Sequence, residues 1–489
     1  MDKKQKTIPL WLALIPVLVL VFLIIFNVTW LDDDPLAGAN QLALLLSSAI
    51  ASALAVAYGT KFQTLIDGVI KTFSVSAISI VVLLCIGMIA GTWMLSGVIP
   101  AFIYYGLFIL RPEYFLPAAM IISAIVSVAT GSSWTTIATI GVAMLAIGSA
   151  MGINPAISAG AIISGAYFGD KLSPLSDTTI LASSTAGIDI FDHIKYMMRT
   201  TVPTFIIALT IFTAMSIFGG VSEGDTANVA AIQASLDSLF NLSPFVFIVP
   251  ILVGFMVYKK VHSLPTLLGA SIIAMVAAII LQPEHVGRIA TSLTKTGEAG
   301  FLEKLIVLFR AAYGEISVNT GDEAVDSLVS TGGMRGMLDT VWLIIMAMVF
   351  GGVMDASGFI HRITEAIVSK VQTTGSTIVA MVLSCVLLNM STADQYVTIV
   401  LSGKMYSQAF RRRGIAPEVL SRTMEDAGTV TSVLIPWNSC GATQAAVLGV
   451  PTLVYLPFTF FCILSPIVAI TCALTGWGIK KTAPEAPEA

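Results

Sequence analysis

The chain has 489 residues, of which 56% are hydrophobic and only 11% charged, with a formal net charge of −4. Soluble globular proteins carry about 25% charged residues, so this chain cannot clothe itself in polar side chains in water. The small, dispersed charge points away from a nucleic-acid partner, and the lipid bilayer is the solvent that the composition fits.

A bilayer core about 30 Å thick needs roughly 20 apolar residues per spanning helix. The chain opens Met1-Asp2-Lys3-Lys4-Gln5-Lys6 and then runs apolar from Pro9 to Trp30. That run is too long for a signal-peptide core and no small-residue cleavage site follows it, so it predicts a first transmembrane helix over 9–30. Further spans are predicted at 41–58, 73–95, 201–219, 244–258, 265–281, 339–358 and 451–475. Four more apolar stretches, 114–150, 153–185, 377–406 and 419–449, are interrupted by polar or helix-breaking residues. The longest polar insertion is 282–335, expected on the external side, and its stretch Phe301 to Tyr313 has the pattern of an interfacial helix.

Lys and Arg prefer the cytoplasmic side, and this fixes an expected orientation. Lys3, Lys4 and Lys6 put the N-terminus inside, Asp32-Asp33-Asp34 lies outside, and Lys61 and Lys71 return inside. Lys195 and Arg199 fall inside, Glu223, Asp225 and Asp237 outside, and Lys259 and Lys260 inside. Arg362, Lys370, Arg411-Arg412-Arg413 and Lys480-Lys481 are all expected inside. The triple arginine reaches that side only if 377–406 enters and leaves on one side as a re-entrant hairpin, a form tolerated where protein or water surrounds it. The same treatment of 114–150, entering from outside, keeps the first half consistent.

The resulting fold class is an all-α polytopic membrane protein built from two inverted repeats, 9–219 and 244–475. Each repeat holds three helices, a re-entrant hairpin, an interrupted helix and a closing helix, an architecture typical of secondary transporters. A short internal likeness agrees: Thr130-Gly131-Ser132-Ser133-Trp134-Thr135-Thr136-Ile137 lies over Thr392-Ala393-Asp394-Gln395-Tyr396-Val397-Thr398-Ile399. Likewise Gly169-Asp170 with Ser173 and Ser176 lies over Glu425-Asp426 with Thr429 and Ser432.

The interruptions carry the chemistry. The first reads Gly169-Asp170-Lys171-Leu172-Ser173-Pro174-Leu175-Ser176-Asp177-Thr178-Thr179. Pro174 removes a backbone donor and frees a carbonyl in the preceding turn, with Gly165 and Gly169 loosening the backbone further. Ser173, Ser176 and Thr178 add neutral oxygens, and a hard cation such as Na⁺ takes oxygen ligands of these kinds. A carboxylate at bilayer depth is costly unless paired or functional, which singles out Asp170 and Asp177. The plainer reading is an ion pair with Lys171 that holds the break in shape. Neighbours along a helix do not face each other, so Lys171 is expected to reach another element.

The second interruption runs from Glu425-Asp426 through Gly428, Thr429, Thr431, Ser432 and Pro436 to Asn438-Ser439. Asp426, Thr429, Ser432 and Asn438 are its candidates, with Glu425 expected nearer the interface; the competing reading of Asn438 is a helix cap. The hairpin tips complete the site with Ser132 in the first and Thr392 and Asp394 in the second. Half-helix N-termini at such tips can hold an anion, whereas Asp394 favours a cation or proton. Trp134 and Tyr396 are packing or gating residues. Asp67, Lys71 and Asp355 are expected to be solvated near span ends.

The five cysteines fall in apolar stretches without CxxC pairing and read as small buried hydrophobes. The four histidines fall in predicted loops. With no HExxH or paired Cys/His spacing, neither a zinc site nor an enzyme is expected, and no cofactor beyond transported ions.

At these two interruptions the sequence resembles the NhaC-type sodium/proton antiporter family. The phrase Gly165-Ala166-Tyr167-Phe168 through Thr179 is close to that family's best-marked segment, and Glu425 through Ala442 resembles its counterpart in the second half. Ile180 stands where the family often has Asn. The resemblance implies an ion-transporter superfamily fold with scaffold and transport regions, and exchange of cytoplasmic Na⁺ for external protons across the cytoplasmic membrane of a prokaryote. It carries over Asp170, Ser173, Ser176 and Asp177, then Asp426, Thr429, Ser432 and Asn438. Sodium is expected at Asp170 and Asp426, with Lys171 as charge partner. Members of the same family exchange organic acids such as malate and lactate, or carry amino acids, so a Na⁺- or H⁺-coupled carrier of a small carboxylate is the alternative. Both termini are expected to be cytoplasmic, with a homodimer as one assembly the chain could form.

Overall fold

Backbone polar groups in lipid have no water to bond, so a chain this apolar must satisfy them internally. In the computed structural model, which describes residues 8–31, 38–218, 226–259, 261–292, 300–315, 326, 329–368 and 371–483, helices do almost all of this work. Among the described residues nine helices are long and apolar enough to cross a membrane, or up to eleven if two bent pairs each count as one span. Lys3, Lys4, Lys6, Asp32 to Asp34, Glu223, Asp225, Lys260 and Lys370, used above for orientation, lie outside the described residues.

The first half begins with α1 (Leu10–Phe26), α2 (Ala39–Ala57) and α3 (Phe62–Leu95). α3 starts at Phe62 rather than 73, because the amphipathic stretch with Asp67 and Lys71 continues the helix. Lys71 pairs with Asp355 at 3.6 Å on an exposed edge, as expected for solvated charges. A short helix that the span pattern does not isolate, α4 (Val98–Ile109), follows Gly97 in the left-handed conformation. The stretch 114–150 is a hairpin of α5 (Pro112–Thr130) and a returning arm made of α6 (Ser133–Thr136), a π segment Ile137–Gly141 and α7 (Val142–Ala150). The stretch 153–185 is α8 (Pro155–Leu172) and α9 (Asp177–Ala186), broken at Ser173 to Ser176. α10 (Ile190–Phe218) closes the half, starting earlier than 201.

α11 (Thr226–Leu239) links the halves. The second half has α12 (Ile248–Tyr258) and α13 (Ser263–Leu281), then α14 (Pro283–Ser292) and α15 (Phe301–Tyr313) in the polar insertion. α15 has the bounds that its amphipathic pattern predicts. It buries Val307, Leu308 and Ala311 and leaves Phe301, Leu302 and Phe309 exposed. α16 (Leu338–Ala356) and the short α17 (Phe359–Val368) precede a second hairpin, α18 (Thr374–Thr392) and α19 (Gln395–Arg412). The stretch 419–449 comprises α20 (Pro417–Thr423), a π segment Met424–Thr429, a 3₁₀ turn Ser432–Leu434 and α21 (Ser439–Leu448).

The expected single span 451–475 is instead α22 (Thr452–Tyr455) and α23 (Phe460–Thr475), separated near Thr459. Pro451 and Pro457 deny the backbone the donors that a continuous helix needs. The segment 452–458 accordingly turns 88° away from α21.

Gly165 and Gly169 serve contact, not looseness. A Cβ on Gly165 would lie 2.1 Å from the Met120 carbonyl oxygen, and one on Gly169 2.3 Å from that of Ala124. α8 therefore touches α5 backbone to backbone, the packing that small residues permit in membranes. All five cysteines are free and buried. The histidines depart from expectation: His193, His285 and His361 lie on helices, and His262 caps α13.

Candidate functional site

The two hairpin tips share a local construction, residue by residue. Gly131 and Ala393 hold left-handed backbone with φ of 67° and 56°. Thr130 and Thr136 hydroxyls lie 3.1 Å apart in the first tip, and Thr392 and Thr398 hydroxyls 3.2 Å apart in the second. The next helix is capped in both: Ser132 Oγ accepts the Thr135 N–H at 3.2 Å, and Asp394 Oδ1 accepts the Tyr396 and Val397 N–H groups at 2.8 and 3.0 Å. Ser and Asp are strong N-cap residues because a side-chain oxygen satisfies amides that the helix leaves orphaned. Ser76 donates to Asp394 Oδ2 at 3.0 Å. Asp394 thus already occupies the helix N-terminus where an anion could otherwise have bound.

The helix breaks meet these tips. Asp170 ends α8 against the first tip, where Ser133 donates to Asp170 Oδ2 through its Oγ at 2.7 Å and its N–H at 3.2 Å. Both bonds from Ser133 to this buried carboxyl fall on Oδ2. Thr179 Oγ1 reaches back to the carbonyls of Asp170 and Lys171 at 3.4 and 3.3 Å, taking up oxygens that Pro174 frees. Ser176 Oγ and Thr178 Oγ1 lie 3.0 Å apart, while Ser173 Oγ accepts the Leu175 N–H. At the second break Asn438 is a cap: its Oδ1 accepts Cys440 N–H at 3.1 Å and its Nδ2 donates to Asn389 O at 3.1 Å. Asn389 in turn donates to Gly428 O at 2.7 Å and Thr431 Oγ1 at 2.9 Å, tying the second tip to the second break.

A cavity of about 350 Å³ opens between the parts. Asp170, Asp177, Ser132, Ser133, Trp134, Thr135, Ser176 and Thr178 line it from the first half, with Gln395 and Tyr396 from the second tip. Ser79 and His262, from α3 and the start of α13, complete its wall. Asp177 itself is exposed. His262 was not a sequence candidate; its place before α13 gave no sign that the chain folds it onto Asp177.

Asp426 stands apart from this cavity. Lys171 Nζ donates to Asp426 Oδ1 at 2.6 Å, and both side chains are fully buried. Thr200 donates to Oδ2 at 2.9 Å and Ser465 to Oδ1 at 3.4 Å, with Arg422 Nε 3.7 Å from Oδ2. Lys171 therefore does reach another element, but the carboxylate expected to hold sodium carries an ammonium instead. Glu425 is fully buried in the protein, and neither of its carboxyl oxygens has a hydrogen-bond partner among the described residues. Of the remaining candidates, Thr429 is buried, and Ser432 Oγ donates to Thr429 O at 2.5 Å and to Gln395 Oε1 at 3.4 Å. The structure thus gathers Asp170, Asp177, Ser132, Ser176 and Thr178 around one space, and leaves Asp426, Asp394, Asn438, Thr429 and Ser432 in the protein framework behind it.

Apolar spans around a polar cavity at one broken helix and two hairpin tips define a multi-pass membrane transporter. The sequence profile of the Na⁺/H⁺ antiporter family matches residues 7–196 and 165–477, and the chain belongs to that family. It is similar to the Na⁺/H⁺ antiporter NhaC of Alkalihalophilus pseudofirmus, with 36% identity over 90% of each chain. It is 33% identical to the malate-2H⁺/Na⁺-lactate antiporter of Bacillus subtilis, over 97% of this chain and 96% of that one. It is also 34% identical to the arginine/ornithine antiporter ArcD of Halobacterium salinarum, over 97% of this chain and 93% of that one.

Proposed function

We propose that the chain exchanges Na⁺ for H⁺ across the cytoplasmic membrane of a prokaryote by alternating access, with Asp170 as the carboxylate for which the two cations compete. The observation that carries this reading is the placement of Asp170: buried, at a helix break, on a cavity lined by a second carboxylate and several hydroxyls. When Asp170 is ionised, its carboxylate and the hydroxyls of Ser132, Ser176 and Thr178 offer Na⁺ the hard oxygen ligands it requires. When Asp170 is protonated, the charge that attracts Na⁺ is gone. Asp177, at the open side of the cavity, draws cations toward it, and the Lys171–Asp426 pair holds the end of α8 against the second half. The matched tips, and the short helix after a left-handed glycine that precedes each hairpin, support reading 9–219 and 244–475 as repeats. Both termini then lie in the cytoplasm, and the inverted halves rock about the cavity.

The test uses purified protein in liposomes that hold a pH gradient reported by a fluorescent dye. External NaCl is expected to collapse the gradient, choline chloride to leave it, and Asp170→Asn to abolish the response while still inserting. Full Na⁺-dependent activity in Asp170→Asn would remove the assignment.

The organic-acid alternative needs a cationic anchor for a carboxylate. Lys171, next to Asp170 in the chain, has its ammonium committed to Asp426. The cavity wall contains two carboxylates and no Lys or Arg, which speaks for a cationic cargo.

A further inference from the structure

We propose that the groove between α1, α17, α18 and α23 binds one anionic phospholipid, with its acyl chains along α18 and its phosphate at Lys481. The groove shares no residue with the cavity at Asp170, and the proposal is independent of which cargo is carried.

Shape is the first observation. The groove encloses about 1040 Å³, and Leu14, Ile367, Leu383, Leu387 and Leu474 form its sides. Leu383 and Leu474 are 49% and 72% exposed, so these walls face outward, which for a spanning chain means toward lipid. Along α18 the lining runs from Thr374 to Leu387. At 1.5 Å per residue that is about 20 Å. A bilayer with its headgroups is about 40–45 Å thick, so the groove is as long as one leaflet. A spanning helix of a second copy would cross both leaflets, whereas a lipid occupies one.

Polarity is the second observation, because the two ends differ. At Leu387 the lining is apolar, while the opposite end carries Thr373, Thr374, Ser376, Thr475 and Lys481. Lys481 pairs backbone to backbone with Ile415, and Arg413 donates to Val371 O at 2.8 Å, which fixes both basic residues at that end. Lys480 is committed to Glu418 at 2.6 Å, but Lys481 makes no ion pair among the described residues. No Asp or Glu lines the groove. An acidic headgroup at this end therefore meets positive charge without opposition, and basic pockets between spanning helices at the membrane face attract such headgroups. A zwitterionic lipid would fill the apolar length equally well but would gain less at Lys481.

The experiment is native mass spectrometry of the purified full chain released from detergent. The probes are phosphatidylglycerol and phosphatidylcholine carrying the same acyl chains. Phosphatidylglycerol is expected to occupy the protein at the lower concentration. Lys481→Gln is expected to raise its half-occupancy concentration about fivefold, the effect of one basic residue beside an acidic headgroup, and to leave phosphatidylcholine unchanged. Lys481→Arg is expected to bind as the parent does. Leu383→Trp, which narrows the groove, is expected to weaken both lipids. Lys481 and Leu383 are exposed, so these variants keep the fold. Equal binding of the two lipids by the parent, or undiminished phosphatidylglycerol binding by Lys481→Gln, overturns the proposal. So does a change from dimer to monomer in Leu383→Trp with phosphatidylglycerol binding intact, which would assign the groove to a second copy of the chain.

Discussion

Lys171 Nζ lies 2.6 Å from Asp426 Oδ1, a fully buried ion pair joining the break in α8 to the break in the second half. Asp170 precedes Lys171 by one residue, and successive side chains on a helix point to different faces. The end of α8 therefore offers Asp170 to the first hairpin tip and the cavity while Lys171 reaches the second half. Any displacement of that helix end alters the ion cavity and the buried pair together. This is a physical link between occupancy of the cavity and the relative position of the two halves.

The pair sets the first prediction. Asp426→Asn leaves both Lys171 and Arg422 buried without their carboxylate partner, a loss of about 3–5 kcal/mol, whereas Lys171→Met leaves Asp426 beside Arg422. Asp426→Asn is therefore expected to lower the thermal unfolding temperature in detergent more than Lys171→Met does. Equal losses in the two variants would show that Arg422 does not compensate Asp426.

Ser133 supports the ionised form of Asp170 through the 2.7 Å hydroxyl bond. A hydrogen bond to a charged group contributes about 1.5–3 kcal/mol. Ser133→Ala keeps the backbone donor and loses the hydroxyl. At fixed pH the sodium concentration for half-maximal exchange is expected to rise about tenfold, the smaller end of that range. An unchanged sodium requirement in the liposome assay would mean that this bond does not prepare the ion site.

Asp394 separates capping from ion binding. If its function is the cap on α19, Asn serves equally well and Ala costs about 1 kcal/mol. Asp394→Asn is then expected to retain sodium-driven exchange, and Asp394→Ala to lose stability in a thermal melt. Loss of exchange in a stable Asp394→Asn protein would return the residue to the proton-coupling role that the sequence pattern first gave it.

The tips and breaks were legible in the sequence because their signals are local. Pro174 and Pro436 interrupt otherwise continuous apolar helices, and the Thr130 and Thr392 segments can be aligned over eight positions with three identities. The destination of Lys171 was not legible, because its partner is 255 positions away and no periodicity reports such a contact. The same holds for His262, which packing brings to the cavity, and for Glu425, whose neighbour Asp426 made its depth ambiguous. The short α4 and α17 were missed as separate helices because a kink at a left-handed glycine leaves hydropathy almost unchanged.

The last prediction contrasts the two tips. Their backbones agree, with φ of 67° at Gly131 and 56° at Ala393, yet one tip carries glycine and the other alanine. A non-glycine residue in this conformation costs about 1–2 kcal/mol, and the second tip already bears that cost. The first tip has an additional constraint. A Cβ on Gly131 would lie 2.7 Å from the carbonyl carbon of Leu175, backbone that belongs to the break beside Asp170. Gly131→Ala must therefore push the tip away from the break and pull Ser133 from Asp170. It is expected to reduce sodium-driven exchange at least tenfold, because the bonds at risk are charge-assisted and contribute about 1.5–3 kcal/mol each. Ala393→Gly relieves the left-handed strain but gives up a buried methyl, so it is expected to preserve exchange with thermal stability close to that of the parent. If Gly131→Ala exchanges normally, the first tip is not held against Leu175 during transport, and the placement of Ser133 on Asp170 belongs to only one stage of the cycle.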